Sequence, residues 1–361
     1  MRAAGLGTVR TGAVIDVATG RLLYDHDADT VSTPASTTKL ATAVAALGAL
    51  GPGHRLTTSV VAPGPGAIVL VGGGDPTLVL DGLADDTATA LKARGTTRVT
   101  LGYDTSLFAA PAVHPIGFND NLAPVTALMV REGRLDGGGS GPAPRSYDPA
   151  GAAAADFARL LGTRGITVDG PPKPGRAGGP QLAVHRSAVL SDLVEQMLTN
   201  SDNDLAEALA RQTARAAGLP ADFAGGARAI RAALTRYGVP LAGASFNDGS
   251  GLDHTDRLAP LTLARLLALA AAPAHPELRP VVTGLPIAAF TGTLSGRFHA
   301  SPGAGVVHAK TGTLTGTNTI AGTTVTAAGR LLAFAFMTQG APGPDAAQAA
   351  LDGLAAALTT S

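Results

Sequence analysis

Ser36 and Lys39 stand three residues apart in Ser36-Thr37-Thr38-Lys39, just after Pro34 and at the head of an apolar-periodic stretch. Positions three apart on a helix share a face, so the Lys39 amine can reach the Ser36 hydroxyl. A serine hydroxyl is a weak nucleophile until a neighbour takes its proton. The start of a helix adds N–H groups and a positive dipole end, which suit a developing oxyanion. Taken alone, the motif reads first as an N-capping serine followed by a surface lysine, because serine caps are common.

Two further groups offer matching chemistry. Ser201-Asp202-Asn203 falls between two expected helices, where a hydroxyl and an amide two residues apart can enter one cleft. The serine can relay a proton, and the asparagine can hold a substrate amide or the lysine. In isolation these are ordinary turn and cap residues. Lys310-Thr311-Gly312-Thr313 ends an expected strand, Val306 to Ala309. Alternation places Lys310 and Gly312 on one side of the ribbon and Thr311 and Thr313 on the other. Glycine there lets a ligand backbone approach closely, and a strand edge can pair with an extended peptide. An edge strand ending in a turn is the plain alternative.

Elements to carry these residues are legible in the pattern. Ala13 to Val17 and Arg21 to Tyr24 flank a turn at Thr19-Gly20, a hairpin signature. Leu40, Ala43, Val44 and Leu47 repeat at helical spacing until Gly51-Pro52. From about residue 55 the texture changes to short apolar runs, 58–62, 67–71 and 99–101, separated by Gly/Pro turns. Helical stretches lie at 81–94 and 148–165, and 171–180 reads as a loop. Helices return from Ser187 onward, over 189–198, 205–217, 221–237 and 261–271. Strands at 306–309, 319–326 and 331–337 and a helix at 346–358 complete the chain. There is no internal repeat.

Bulk properties exclude several classes. With 27 Lys+Arg against 27 Asp+Glu the net charge is zero, so no basic stripe for nucleic acid is present. No cysteine occurs, which excludes disulfides, thiolate metal sites and a cysteine nucleophile. The eight histidines show no paired metal spacing, and no metal or cofactor is expected. No apolar run approaches the roughly 18 residues of a membrane span, and no signal peptide is visible in the first ten residues. Gly72-Gly73-Gly74 lacks the Lys-Ser/Thr ending of a phosphate loop and is followed by Pro76. Asp75 and Asp248-Gly249-Ser250-Gly251 read as turns.

Together, Ser-x-x-Lys, Ser-Asp-Asn and Lys-Thr-Gly in this order are the signature of class A β-lactamases and penicillin-binding proteins. Further stretches narrow the match: Pro34 to Leu40, Gly73-Gly-Asp-Pro-Thr-Leu78, Asp248-Gly-Ser-Gly-Leu252 and Lys310 to Leu314. On these the chain resembles, from about residue 11 to 357, the penicillin-binding-protein-4-type D-alanyl-D-alanine carboxypeptidases and endopeptidases of peptidase family S13. The separation of Ser36 and Ser201, 201 − 36 = 165 residues, agrees with an inserted region that class A β-lactamases lack.

The resemblance implies an α/β penicillin-recognising serine transferase (β-lactamase/transpeptidase-like) fold. An antiparallel five-stranded sheet from both chain ends would be flanked by helices and faced by an all-helical lobe. Residues 1–54 and 186–361 would form the catalytic domain. Residues 55–185 would form a smaller β-rich inserted domain, a reduced version of the family's two-part insert. It further implies Ser36 as nucleophile and Lys39 as base, with Ser201, Asn203 and Lys310 completing the catalytic set. Thr311, Gly312 and Thr313 would bind substrate, and the backbone N–H groups of Ser36 and Thr313 would form the oxyanion hole. Peptidoglycan stem peptides would be the substrates, β-lactams covalent inhibitors, and the location periplasm or cell wall. Two rivals differ in kind. A β-lactamase or esterase on the same fold would turn penicillin over quickly, but no Glu-rich loop is placed to activate a deacylating water. A non-catalytic cell-wall binding module would tolerate loss of Ser36, and the intact motifs speak against it.

Overall fold

The computed structural model describes residues 1, 3–109 and 112–360. In chain order the elements begin with β1 (Val9–Asp16), β2 (Leu22–His26) and α1 (Thr38–Leu50). Next come β3 (Thr57–Gly64), β4 (Ala67–Val71), α2 (Asp81–Lys92), β5 (Arg98–Asp104), α3 (Pro149–Thr163), β6 (Thr167–Val168), β7 (Lys173–Pro174) and β8 (Gln181–Arg186). Then follow α4 (Leu190–Asn200), α5 (Asn203–Ala216), α6 (Phe223–Arg236), α7 (Pro260–Ala271) and the one-turn α8 (Pro280–Thr283). The chain finishes with β9 (His308–Leu314), β10 (Thr317–Val325), β11 (Leu331–Gln339) and α9 (Pro344–Ala357). Two compact units result: Met1–Pro52, Ser191–Leu219 and Phe223–Ser361 in one, Gly53–Leu190 with Pro220–Asp222 in the other.

The first unit holds a five-stranded sheet in the order β2-β1-β11-β10-β9, antiparallel throughout. Both chain ends meet in it, since β1 pairs along its whole length with β11, from Val9↔Gln339 to Asp16↔Leu332. β10 and β11 are buried almost end to end. That explains why Leu331 to Met337 is a continuous apolar run and not an alternating one. On one face Val14, Ile320, Phe334 and Phe336 pack with Leu351 and Ala355 of α9. α7 packs on β1 and β11, and α1 packs on α5, α6 and α7.

α1 is a central helix: every residue from Thr38 to Leu47 is buried. Its Ala-rich sequence suits that role, because a helix apolar all round must be covered on every side. It stops at Gly51, whose positive φ of 81° a glycine adopts without strain.

The second unit is built on a mixed six-stranded sheet, β6-β5-β4-β3-β8, with β7 also paired to β5. β3 runs antiparallel to β4 and β8, whereas β4, β5 and β6 are parallel. Two helices pack on it: Leu83 and Leu91 of α2 and Phe157 and Leu161 of α3 meet Ile68, Leu70 and Leu101. The expected loop at 171–180 contains the two-residue β7. The triple glycine serves packing, since a Cβ on Gly72 would meet the Ala127 carbonyl oxygen at 2.5 Å and one on Gly73 the Thr57 carbonyl oxygen at 2.2 Å. Asp75 forms the expected turn, its Oδ1 accepting from the N–H and hydroxyl of Thr77.

Candidate active site

Ser36 lies in a single 3-10 turn, Ala35–Thr37, that leads into α1. It caps nothing: the N-cap position belongs to Thr37, and no side chain bonds the helix start. The turn is held from behind. Pro34 O accepts from the hydroxyls of Thr37 at 2.6 Å and Thr319 at 2.9 Å. Ala35 has φ of 49°, unusual for a residue with a Cβ.

One turn on, Lys39 is wholly buried, and its Nζ makes three hydrogen bonds. They go to Ser36 Oγ at 3.0 Å, Asn203 Oδ1 at 2.7 Å and the Ser250 carbonyl at 2.8 Å. Burial pushes the ammonium down to about 8, against the negative charges of Asp248, Asp202, Glu207 and Asp204. The proton is thereby loosened towards neutral pH, as a base that must take the serine proton requires.

Ser201 joins α4 to α5 with φ of 58°, and Asp202 caps α5 through Leu205 N at 2.9 Å. A left-handed non-glycine residue costs about 1–3 kcal/mol and marks a position that the surroundings over-determine. Ser201 Oγ accepts from Lys310 Nζ at 2.8 Å, and the same ammonium donates to Thr311 O at 2.7 Å. Lys310 is buried too; burial, and then the charge on Lys39, hold it well below the ordinary lysine range.

The Lys-Thr-Gly motif sits inside β9 and not past its end. Of the expected strand at 306–309 only His308 and Ala309 are strand; Val306 and Val307 close a turn, both N–H groups donating to Gly303 O. The strand therefore starts at His308. The alternation holds, with Lys310 and Gly312 facing the nucleophile turn. A Cβ on Gly312 would meet Thr319 Oγ1 at 2.2 Å, Pro34 O at 2.8 Å and Ala35 Cβ at 3.0 Å. The close approach that this glycine permits is that of the chain's own Ser36 turn. On the other side, the Thr311 hydroxyl bonds that of Thr293 at 2.9 Å, and the exposed Thr313 hydroxyl faces Gln348 of α9 at 3.5 Å.

Ser36, Lys39, Asn203, Ser201 and Lys310 thus come together from α1, α5, the α4–α5 turn and β9. Two ammonium groups, two hydroxyls and an amide are not a donor set for a divalent ion. The arrangement is a buried lysine poised to deprotonate a serine, with a second lysine–serine pair beside it. Residue types gave no signal for the Ser250 contact, because it is made by a backbone carbonyl. Nor did they mark Glu207, whose Oε1 accepts from Gly249 N and Ser250 N, both at 2.9 Å.

Comparison with known proteins agrees with this geometry. The D-Ala-D-Ala carboxypeptidase 3 (S13) family model matches residues 4–137 and 135–360. The chain belongs to this family. It is a serine-type D-Ala-D-Ala carboxypeptidase. A carboxypeptidase DacB from Mycolicibacterium smegmatis is 38% identical over 375 residues, covering 96% of this chain and 80% of that protein. Penicillin binding protein 4 from Haemophilus influenzae is 25% identical in a crystal structure with a TM-score of 0.84, covering 99% of this chain and 98% of the other. A second structure of that protein, complexed with a β-lactam, gives a TM-score of 0.81 at 24% identity over 98% and 97% of the two chains.

Proposed function

We propose that this S13 carboxypeptidase works through an acyl-enzyme on Ser36. Ser36 Oγ attacks the carbonyl of the penultimate D-alanine of a peptidoglycan stem peptide or crosslink. Lys39 takes the hydroxyl proton, the new ester bond forms and the peptide C–N bond breaks. Ser201, bonded to Lys310, relays that proton from Lys39 to the leaving amine, so Lys39 is neutral again when the amine departs. Asn203 holds Lys39 and a substrate amide, and the backbone N–H groups of Ser36 and Thr313 face the oxyanion, a contribution of about 3–4 kcal/mol where such donors have been removed one at a time. β9 is the edge of its sheet, so Thr311 and Thr313, though on the face opposite Lys310, can turn to the substrate carboxylate, the role the resemblance gives them, while Gly312 seats the nucleophile turn against the strand. Water then cleaves the ester and restores Ser36.

The observation that carries this reading is the 3.0 Å bond between Lys39 Nζ and Ser36 Oγ at a lysine whose proton burial has loosened. β-Lactams acylate the same serine. Peptidoglycan lies outside the cytoplasmic membrane, so the enzyme acts in the periplasm or cell wall. Among the described residues no helix is long and apolar enough to cross a membrane.

Intact mass after incubation with a penicillin tests the proposal. An increase of one drug molecule, absent from Ser36→Ala, is expected, together with D-alanine release from a pentapeptide. Rapid loss of the drug without an adduct would instead indicate a β-lactamase. An adduct that persists in Ser36→Ala would move the nucleophile elsewhere.

A further inference from the structure

The loop that follows Asn247 is shaped by carboxylates, and it ends on the base. The peptide unit joining Ser250 to Gly251 is gripped at both ends. Its N–H, on Gly251, donates to Asp248 Oδ1 at 2.6 Å, and its carbonyl, on Ser250, accepts from Lys39 Nζ at 2.8 Å. In a trans peptide these two groups point in opposite directions, so fixing the N–H aims the carbonyl. Asp248 Oδ2 accepts from Asp253 N at 2.8 Å and from the Ser250 hydroxyl at 3.3 Å. Gly251 has φ of 80° and no room for a Cβ, which would meet Ala35 O at 2.0 Å. The loop is therefore seated directly on the nucleophile turn.

A second carboxyl completes the arrangement. Asp256 is fully buried and hydrogen-bonded to Asp248, and its Oδ1 accepts from Asn247 N at 2.7 Å. Two carboxyls in hydrogen-bond contact and out of water cannot both ionise; they share one proton. Burial and the neighbouring Asp248 raise Asp256 to about 9, which puts the proton there and the charge on Asp248.

We propose that Asp248 is a positioning residue for Lys39: it aims the Ser250 carbonyl at Nζ and, with Asp256 holding the pair's proton, presents the negative charge that the Lys39 ammonium faces from this loop. The proposal rests on Lys39 acting as the base. The other charges around Lys39 are Asp202, Glu207 and Asp204, with Lys310 opposing them, and Glu207 is itself paired with Arg211 at 3.1 Å. Asp248 ranks first among the negative charges that resist the downward push of burial.

The test is the pH dependence of penicillin acylation by the full chain, followed by intact mass. Its acid limb reads the Lys39 proton, and its alkaline plateau, where Lys39 is neutral in every variant, reads the aim of the carbonyl. In Asp248→Asn alone the charge can pass to Asp256, so the double variant Asp248→Asn/Asp256→Asn is the one to measure. It should move the acid limb about one pH unit lower, since the ammonium loses a stabilising neighbour, with a plateau within about threefold of wild type because the amide oxygen can still accept from Gly251 N. Asp256→Asn alone should leave the limb in place. Asp248→Ala, which drops the Gly251 N–H, should lower the plateau about tenfold or more.

An unmoved limb in the double variant, or an unchanged plateau in Asp248→Ala, overturns the proposal. A wild-type profile with no acid limb overturns Lys39 as base, and this inference with it. If the variants do not fold, carboxyl 13C titration of the wild type decides: one of the two aspartates protonated and the other ionised at pH 7 is expected, and two alike overturns the pair.

Discussion

The Nζ of Lys39 lies 3.0 Å from the Oγ of Ser36 while the same ammonium is wholly enclosed by protein. Burial disfavours its charge and brings its proton affinity to about 8. Acylation of Ser36 should therefore lose rate about tenfold for each pH unit below 8, the slope of a single deprotonation. Lys39→Arg should abolish it, with a fall of at least about 10³, because a guanidinium keeps its proton. Penicillin acylation rates between pH 5 and 9 check both statements, and a rate independent of pH over that range refutes the first.

Lys310 and Ser201 form the second pair, at 2.8 Å. Because Lys310 is buried and faces Lys39, its proton too is weakly held. Such a pair suits transfer of a proton to the leaving amine more than binding of the substrate. Ser201→Ala is expected to lower kcat for D-alanine release about 10²-fold with KM changed little. Steady-state kinetics on a pentapeptide would show it. A rise in KM at constant kcat would assign Ser201 to binding.

How far these pairs could be read from sequence depends on what carries each contact. Ser36 and Lys39 are near neighbours along the chain, and Lys310 and Gly312 share a strand face, so the spacing announces them once the three motifs are read together in order. The five-stranded sheet is expected from the family resemblance; of its strands β11 is a continuous apolar run, whereas β9 and β10 are too rich in Thr and Gly to announce themselves that way. The start of β9 is not legible, because Val306 and Val307 look like strand residues but are held in a turn by the Gly303 carbonyl. The hold on Lys39 by the Ser250 carbonyl is invisible for a deeper reason: a backbone oxygen has no letter in the sequence. Asp248 and Asp256 share the fate of most turn aspartates, which look alike until their burial is known.

Gly312 offers a test of how the strand and the nucleophile turn fit. An added methyl would press on Thr319 Oγ1, Pro34 O and Ala35 Cβ, two of them in the segment that leads into Ser36. Overpacking of this kind costs about 1–3 kcal/mol. Gly312→Ala should lower the melting temperature by a few degrees and suppress acylation more than stability alone explains, since two of the three atoms met belong to the Pro34–Ala35 segment and the third, Thr319 Oγ1, is hydrogen-bonded to Pro34 O. Thermal melts and penicillin labelling at a temperature where the variant is fully folded separate the two effects.

Asp256 makes a prediction about stability. Its carboxyl is raised to about 9 in the folded protein, against an ordinary value of 3.8. The folded state holds this proton more tightly than the unfolded chain, so the stabilisation is complete below the ordinary value and is lost as pH rises towards 9. Lys39 acts in the opposite direction, its proton weakened from 10.5 to about 8, but its contribution changes only above pH 8. Between pH 4 and 8 Lys39 is therefore constant, and comparison with Asp256→Asn cancels the other groups with shifted affinities, Asp75, Asp352 and His308. Asp256→Asn keeps the shape and the acceptor for Asn247 N without the ionisation. Its melting temperature should gain on the wild type steadily across that interval. Parallel melting curves for the two proteins from pH 4 to 8 would mean that Asp256 is ionised in the fold, and that Asp248 and Asp256 do not share a proton.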